Sequence, residues 1–497
     1  MELSRDELVA LHPYVINVPD GRLAAGASTS PTSVKDFKTV EADVDAIFST
    51  HLPAFVAGHG GADVPLVIYA HGGLVPKASG LGIARKQVEW WKANGAFPVQ
   101  FVWETALGDS LWDAVRDHIP GKARGFIADA LDAIIEEVLR GARGRDTWGA
   151  MKRTAELASE PSGGARYFAT RLGDYMAANP GTIRVHAVGH SAGSIFHAHL
   201  VPQLLAAGVP TIASLNLLAP AVRVDEFENR VLDPAVLARI EALTMFTMSE
   251  HFEKLDTCMG VYQKSLLYLI REALEPEEHA EILGLQESVR RNPRLREVFG
   301  STTAGGKGTV MWSQTIGGGL RSSSRSEHHG DFDDDQDTMD SLGRRILDRD
   351  DLPRRFPAKG KTRDLGDPWL TTEEAFADIE ARQTKLSQAT SAQPVDGATR
   401  KALCIGIDAY PGKYALSGCV ADAEAWAKEL TSAGFEVSTL LNEQATLEEM
   451  VERIQGLVVG GKPGDVLVVQ YSGHGTTVED LNHDEYQEDG EGNQLAD

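Results

Sequence analysis

The chain has 497 residues, too many for one ordinary core, so two or three domains are expected. Asp and Glu number 72 against 48 Lys and Arg, a net charge of −24 that disfavours a nucleic-acid partner. An acidic start with no secretory pattern, no run of about 18 apolar residues and only three scattered cysteines point to a reduced cytoplasmic protein without a membrane span, disulfide framework or zinc site.

Apolar runs alternate with helical patterns from about residue 64 to 270, which predicts an α/β sheet with parallel strands. The clearest strands are 64–70, 97–103, 183–189, 211–219 and 242–248. The stretch between Trp103 and Arg184 is too long for a simple crossover, so a helical lid insertion is expected over about 104–165. Residues 301–370 are rich in Gly, Ser, Arg and Asp and read as exposed loop, including "GGGLRSSSRSEHHGDFDDDQD". A helix and linker follow over 371–398. From residue 399 a second α/β unit begins, with strand "ALCIGIDAY", helix "VADAEAWAKELTSAG", strand "FEVSTLL", helix "TLEEMVERIQGLV" and strand "DVLVVQYS". Thr446 and Glu449 form a capping-box pair, and Gly434 closes the preceding helix.

The first chemical signal is "RVHAVGHSAGSIFHAHL", which sets Gly189-His190-Ser191-Ala192-Gly193 between a strand and a helix. A serine on such a strained turn keeps its hydroxyl exposed while flanking glycines let neighbouring backbone pass. The following helix aims its first N–H groups at the same place. Acyl transfer also needs donors for an oxyanion, expected from the Ala192 N–H and from Gly72 and Gly73 in "VIYAHGGLV". A base should follow an acid further along the chain. "SEHHGDFDDD" offers His328 and His329, while Glu250, Asp256 and Asp225 are the candidate acids. His197, His199, His251 and His279 read as solvated. The acidic runs "DFDDDQD" and "NHDEYQEDGEG" lack the spaced calcium-loop pattern, so no metal or other cofactor is expected.

Residues 64 to about 350 resemble a lipase/esterase-like α/β-hydrolase, of the bacterial type fused to caspase-like domains. The strings carrying the resemblance are "HGGL", "FVWET", "GHSAGS", "LAPA", "KSLLYLI" and "HGDFDDDQDTM". It implies Ser191 as nucleophile, His329 as base through the His-Gly-x-Phe pattern, and Asp256 as orienting acid, with Glu250 the runner-up. The hydrolase domain then covers 1–370 and acts on a small-molecule or acyl substrate.

Residues 399–497 resemble the front half of a caspase-fold peptidase, nearest to metacaspases. The matching strings are "ALCIGIDAYP", "LSGCVADAEAWAKEL", "GFEVSTLLNEQAT" and "DVLVVQYSGHGT". The resemblance implies His474 as catalytic base and Asp422 as a wall of a pocket for a basic P1 residue on a polypeptide substrate. Caspase-type chemistry also needs a cysteine roughly 50 residues beyond its histidine. The sequence ends at Asp497 without one. Cys404 reads as core, and the resemblance makes Cys419 a non-nucleophile. An incomplete or cleaved gene product is the expected explanation, ahead of a degenerate domain. The fold class expected is therefore α/β, a hydrolase sheet with a helical lid followed by an incomplete caspase-like domain. A non-catalytic scaffold or sensor is the alternative whole-protein reading.

Overall fold

The computed structural model describes residues 3–73, 75–103, 135–137, 139–140, 144–258, 262–299, 307–315, 319–358, 399–410, 416–458, 462, 464–473, 486–488 and 494–496. These segments divide into two compact units, a larger one before residue 359 and a smaller one from residue 399.

The larger unit is mixed α/β and is built on a parallel sheet of seven strands. These are β1 (Val15–Asn17), β2 (Val64–Ala70), β3 (Phe97–Val102), β4 (Ile183–His190), β5 (Ser214–Leu218), β6 (Leu243–Met248) and β7 (Gly308–Ser313), in spatial order β1-β3-β2-β4-β5-β6-β7. Strands of a parallel sheet are covered on both faces, which is why β2 and β3 are apolar at every position but Gln100 and are buried throughout. From β2 the chain moves to one side for β3, then returns to the other side for β4. That reversal opens a crevice beyond the carboxyl ends of β2 and β4, the place where open α/β sheets bind ligands. His71-Gly72-Gly73 and Ser191 both leave the sheet there.

The helix Gly193–Ala206 follows β4 and is buried along nearly its whole length. Its first residue is glycine for a steric reason: a Cβ there would sit 2.0 Å from the Ala70 carbonyl oxygen. The helix Gly144–Ser159, at the end of the segment expected to form a lid, buries Trp148, Met151 and Ala155 and packs on Gly193–Ala206. Residues 104–134 and the 371–398 linker lie outside the described residues.

Several expectations need correction. The strand expected over 211–219 is only Ser214–Leu218, and Ala219 turns out of it with φ of 41°. β1 and β7 were not expected: the first is three residues long, and the second lies inside the supposed loop. That loop region also forms the helix Gln336–Ile346, and Phe332, Met339, Leu342 and Ile346 join a core with Tyr69, Trp90 and Trp91. His197 and His199 are not solvated. His197 is fully buried, with Nε2 donating to the Val188 carbonyl, and His199 pairs with Glu226 at 2.8 Å.

The smaller unit has a three-stranded parallel sheet of β8 (Arg400–Gly406), β9 (Glu436–Leu441) and β10 (Val466–Ser472), in order β10-β8-β9. Leu403, Ile405, Leu440 and Leu457 form its core. Thr446 Oγ accepts from the Glu449 N–H at 3.2 Å at the start of Leu447–Val458, and Gly434 ends Cys419–Ser432 with φ of +83°. Among the described residues no helix is long and apolar enough to cross a membrane.

Replacing Gly193 with Ala forces the Ala70 strand end and the helix apart, so it is expected to lower stability by about 1–3 kcal/mol. Urea unfolding followed by tryptophan fluorescence measures this. An unchanged midpoint would contradict the close approach.

Candidate active site

Ser191 stands between β4 and the helix with φ of +50°, a left-handed conformation rare for a residue with a Cβ. Its backbone is tied on both sides. The Ser191 N–H donates to the Leu218 carbonyl at 2.8 Å, and its own carbonyl accepts from the N–H groups of Ser194 and Ala221. The Ser194 hydroxyl adds a further bond to that carbonyl at 2.6 Å. Gly189 completes the bend, since a Cβ on it would meet the Gly193 carbonyl oxygen at 2.6 Å.

The Ser191 hydroxyl lies 2.8 Å from His329 Nε2. Both residues are almost fully buried, at 3% and 4% exposure, so little water competes for that bond. Burial first, and the neighbouring His190 second, hold the His329 imidazole well below its ordinary pKa, with Asp333 opposing. The ring is therefore neutral near pH 7 and can accept the serine proton at Nε2.

Gly72 and Gly73 approach the same point from β2. A Cβ on Gly72 would fall 3.3 Å from Ser191 Cβ and 3.8 Å from Ser191 Oγ. One on Gly73 would collide with Met151 Sδ and lie 2.8 Å from Ala192 Cβ. A side chain at 72 would be a tight fit and one at 73 a clash, which places Gly72 beside Ser191 and Gly73 beside Ala192, the residue after it. His71 braces the turn. Its Nε2 accepts from the Trp103 N–H at 3.4 Å, so Nδ1 carries the proton and donates to the Gly72 carbonyl at 2.7 Å. Burial brings the His71 pKa down to about 4, in keeping with that neutral tautomer.

Asp256 is in the site, but its carboxylate does not meet the His329 ring. Oδ2 accepts from the His329 backbone N–H at 2.9 Å, and Oδ1 lies 2.7 Å from His328 Nδ1. His329 Nδ1 is left buried without a hydrogen-bond partner. Asp256 thus holds His329 through its backbone rather than its imidazole. The other candidate acids are engaged elsewhere: Glu250 pairs with Lys254 and Arg290, and Asp225 forms a bidentate pair with Arg223.

Sequence reasoning missed a second charged group here. His190 Nε2 is 3.0 Å from the His329 carbonyl, its Nδ1 is 3.5 Å from Asp333 Oδ2, and Tyr69 donates to the same oxygen at 2.5 Å. Asp333 lies in a run of carboxylates that reads as solvated loop, yet it is buried. Burial would raise its pKa, but the His190 charge and hydrogen bond, then the Tyr69 hydroxyl, outweigh that and hold it at about 2.

In the smaller unit, Asp422 is exposed in the first turn of Cys419–Ser432. Asp408, not singled out by sequence, caps that helix by accepting from the N–H groups of Gly418, Cys419 and Val420. Cys404 is buried in β8. His474 lies outside the described residues.

The smaller unit's βαβαβ order coincides with a family match: residues 399–494 fit the model of the caspase domain of peptidase C14. Residues 399–494 are a caspase domain. The chain is similar to Metacaspase-2 of Trypanosoma brucei brucei, 34% identical over 118 residues covering 22% of this chain and 33% of that protein. It is also similar to Metacaspase-1 of Candida glabrata, 38% identical over 101 residues (18% of this chain, 25% of that protein), and to Metacaspase-1 of Saccharomyces cerevisiae, 39% identical over 101 residues (18% and 23%). The chain spans about a third or less of the length of these curated relatives. No solved structure matches the chain.

The depressed pKa of Asp333 has a direction in stability. Its stabilising charge is fully present above the ordinary aspartate value of 3.8 and is lost as pH falls through about 2. The stability gap between wild type and Asp333→Asn, about 2 kcal/mol from this group at neutral pH, should therefore narrow from about pH 5 towards about pH 2. Urea midpoints across that range measure it. A gap independent of pH would contradict the buried ion pair.

Proposed function

We propose that the larger unit is a serine hydrolase of α/β-hydrolase type acting on an ester-like or acyl substrate. The observation carrying this reading is the 2.8 Å contact between the Ser191 hydroxyl and a neutral, buried His329, at a left-handed bend where β4 meets a helix. In the proposed reaction His329 Nε2 takes the Ser191 proton as Oγ attacks the substrate carbonyl. The tetrahedral oxyanion is held by the N–H groups of Ala192 and Gly73, with Gly72 giving the turn its close approach to Ser191. The protonated His329 then delivers its proton to the leaving group, and water repeats the cycle to release the acid. Losing one oxyanion donor would cost on the order of 3 kcal/mol of barrier. Asp256, bonded to the His329 backbone, keeps the base within reach of the serine.

The caspase domain favours a second activity in the same polypeptide. The family match supports proteolysis, with His474 as base and the exposed Asp422 receiving a basic P1 residue of a polypeptide substrate. Neither cysteine of this domain suits the nucleophile: Cys404 is sealed in β8, and Cys419 has its thiol pushed up by burial and by Asp408. A scaffold role with neither site active is the competing account.

A fluorophosphonate probe is expected to label wild type and to leave Ser191→Ala unlabelled, with His329→Ala slowed by at least about 100-fold. Equal labelling of wild type and Ser191→Ala removes the hydrolase reading. The 497-residue chain by itself is expected to leave arginyl and lysyl peptides uncut. Cleavage that survives serine-hydrolase inhibitors and disappears in His474→Ala would contradict this.

A further inference from the structure

His190 precedes Ser191 in the sequence and is buried beside it, yet nothing in the proton transfer from Ser191 to His329 requires it. Its two ring nitrogens face two acceptors. Nε2 lies 3.0 Å from the His329 carbonyl oxygen and Nδ1 lies 3.5 Å from Asp333 Oδ2. A carbonyl and an ionised carboxylate can only accept, whereas a neutral imidazole carries one proton. An imidazole serving both carries two protons and a positive charge. The ring lies roughly parallel to that of His329, with centroids 5.7 Å apart and planes 29° apart.

We propose that His190 is a positioning residue for the hydrolase site: as an imidazolium anchored by Asp333 and Tyr69, it fixes the His329 carbonyl and uses its charge to keep the His329 ring in the proton-accepting form. This rests on the reading of Ser191 and His329 as the reacting pair. Each part has a physical cause. Asp256 holds the His329 backbone N–H and His190 holds its carbonyl, so the peptide units on both sides of the base are clamped. The imidazole then projects from a fixed point towards Ser191 although Nδ1 has no acceptor of its own. The charge acts across the ring stack, where low polarity strengthens it.

The groups facing His190 from each neighbouring element agree with a cationic ring. From β2 and the turn after it come Tyr69, whose hydroxyl is bonded to Asp333, and His71, which is neutral. From the 328–335 segment come Asp331, Asp333 and His329. From the helix Lys77–Ala93, Lys86 pairs with Asp334 and acts on Asp333. Burial would pull the His190 pKa down, but the Asp333 charge and hydrogen bond, with the His329 carbonyl and Asp331, leave it raised. A cation opposite the base makes His329 a weaker but more fully available proton acceptor, so the acid limb of activity lies below the ordinary histidine value.

The test uses the full chain and the rate of fluorophosphonate labelling as a function of pH, with Ser191→Ala as the control for the site itself. His190→Gln keeps a donor for the His329 carbonyl and removes the charge. It is expected to move the acid limb upward by about one pH unit. A merely structural role would lower the rate and leave the limb where it was, and that result overturns the proposal. Should His190→Gln fail to fold, wild type labelled with carbon-13 at histidine Cε1 gives the answer by NMR titration. His190 is expected to titrate above 6.5 and His329 below it. A His190 midpoint at or below 6.5 overturns the proposal even where labelling depends on Ser191. Labelling that ignores Ser191 refutes the hydrolase reading instead, and the titration still reports on His190 separately.

Discussion

The larger unit depends on the close crossing of the Gly193–Ala206 helix over the end of β2. The Ala70 carbonyl occupies the space where a Cβ of residue 193 would be, and the Gly193 carbonyl does the same to residue 189. With a helix starting this close to the sheet, the residue between those glycines has no room to continue as strand or to enter the helix normally. Ser191 takes up the difference in a left-handed conformation, held by hydrogen bonds to Leu218 and from Ala221. Strain of that kind persists only where the surroundings over-determine it. Here they do so through two glycines and several backbone bonds, and the hydroxyl is delivered to the crevice beyond the carboxyl ends of β2 and β4.

Around that bend the charges are arranged in a chain: Tyr69 to Asp333, Asp333 to His190, His190 to the His329 carbonyl, and His329 to the Ser191 hydroxyl. Only the last link moves a proton in the proposed reaction. In that proposal the others set which way His329 faces and how readily it is protonated. His329, whose Nδ1 lacks an acceptor, is held in place all the same, because the restraints act on its backbone. His328 occupies the Asp256 oxygen that a simple serine, histidine and aspartate arrangement would assign to the next histidine.

Much of this was legible in the sequence. β2 to β6 stand out because strands buried on both faces are mostly apolar along their length, and the glycine spacing around Ser191 follows from the crossing. The three-residue β1 carries no such signal; its pairing with β3 joins residues about 85 positions apart, Val15 with Gln100. The run "DFDDDQD" misleads because its composition is that of a solvated loop. Phe332 is nonetheless in the core, and Asp333 is drawn in by Tyr69, 264 residues away in sequence. Charge compensation at such separation leaves no local pattern. Position after a strand left Asp256 open beside Glu250 and Asp225, and the resemblance selected it, but which histidine its oxygens meet depends on the trajectory of the 326–331 turn. In the caspase domain the resemblance named the region, and Asp408 escaped notice because its capping role depends on a loop brought against a helix start.

The most direct measurement is a crystal structure of the chain after reaction with a small phosphonate inhibitor. The account predicts phosphorus bonded to Ser191 Oγ, one phosphonyl oxygen accepting from the Ala192 and Gly73 N–H groups, and His329 Nε2 turned towards the leaving-group position. Phosphorus attached elsewhere, or its oxygen turned away from the glycine bend, would contradict it.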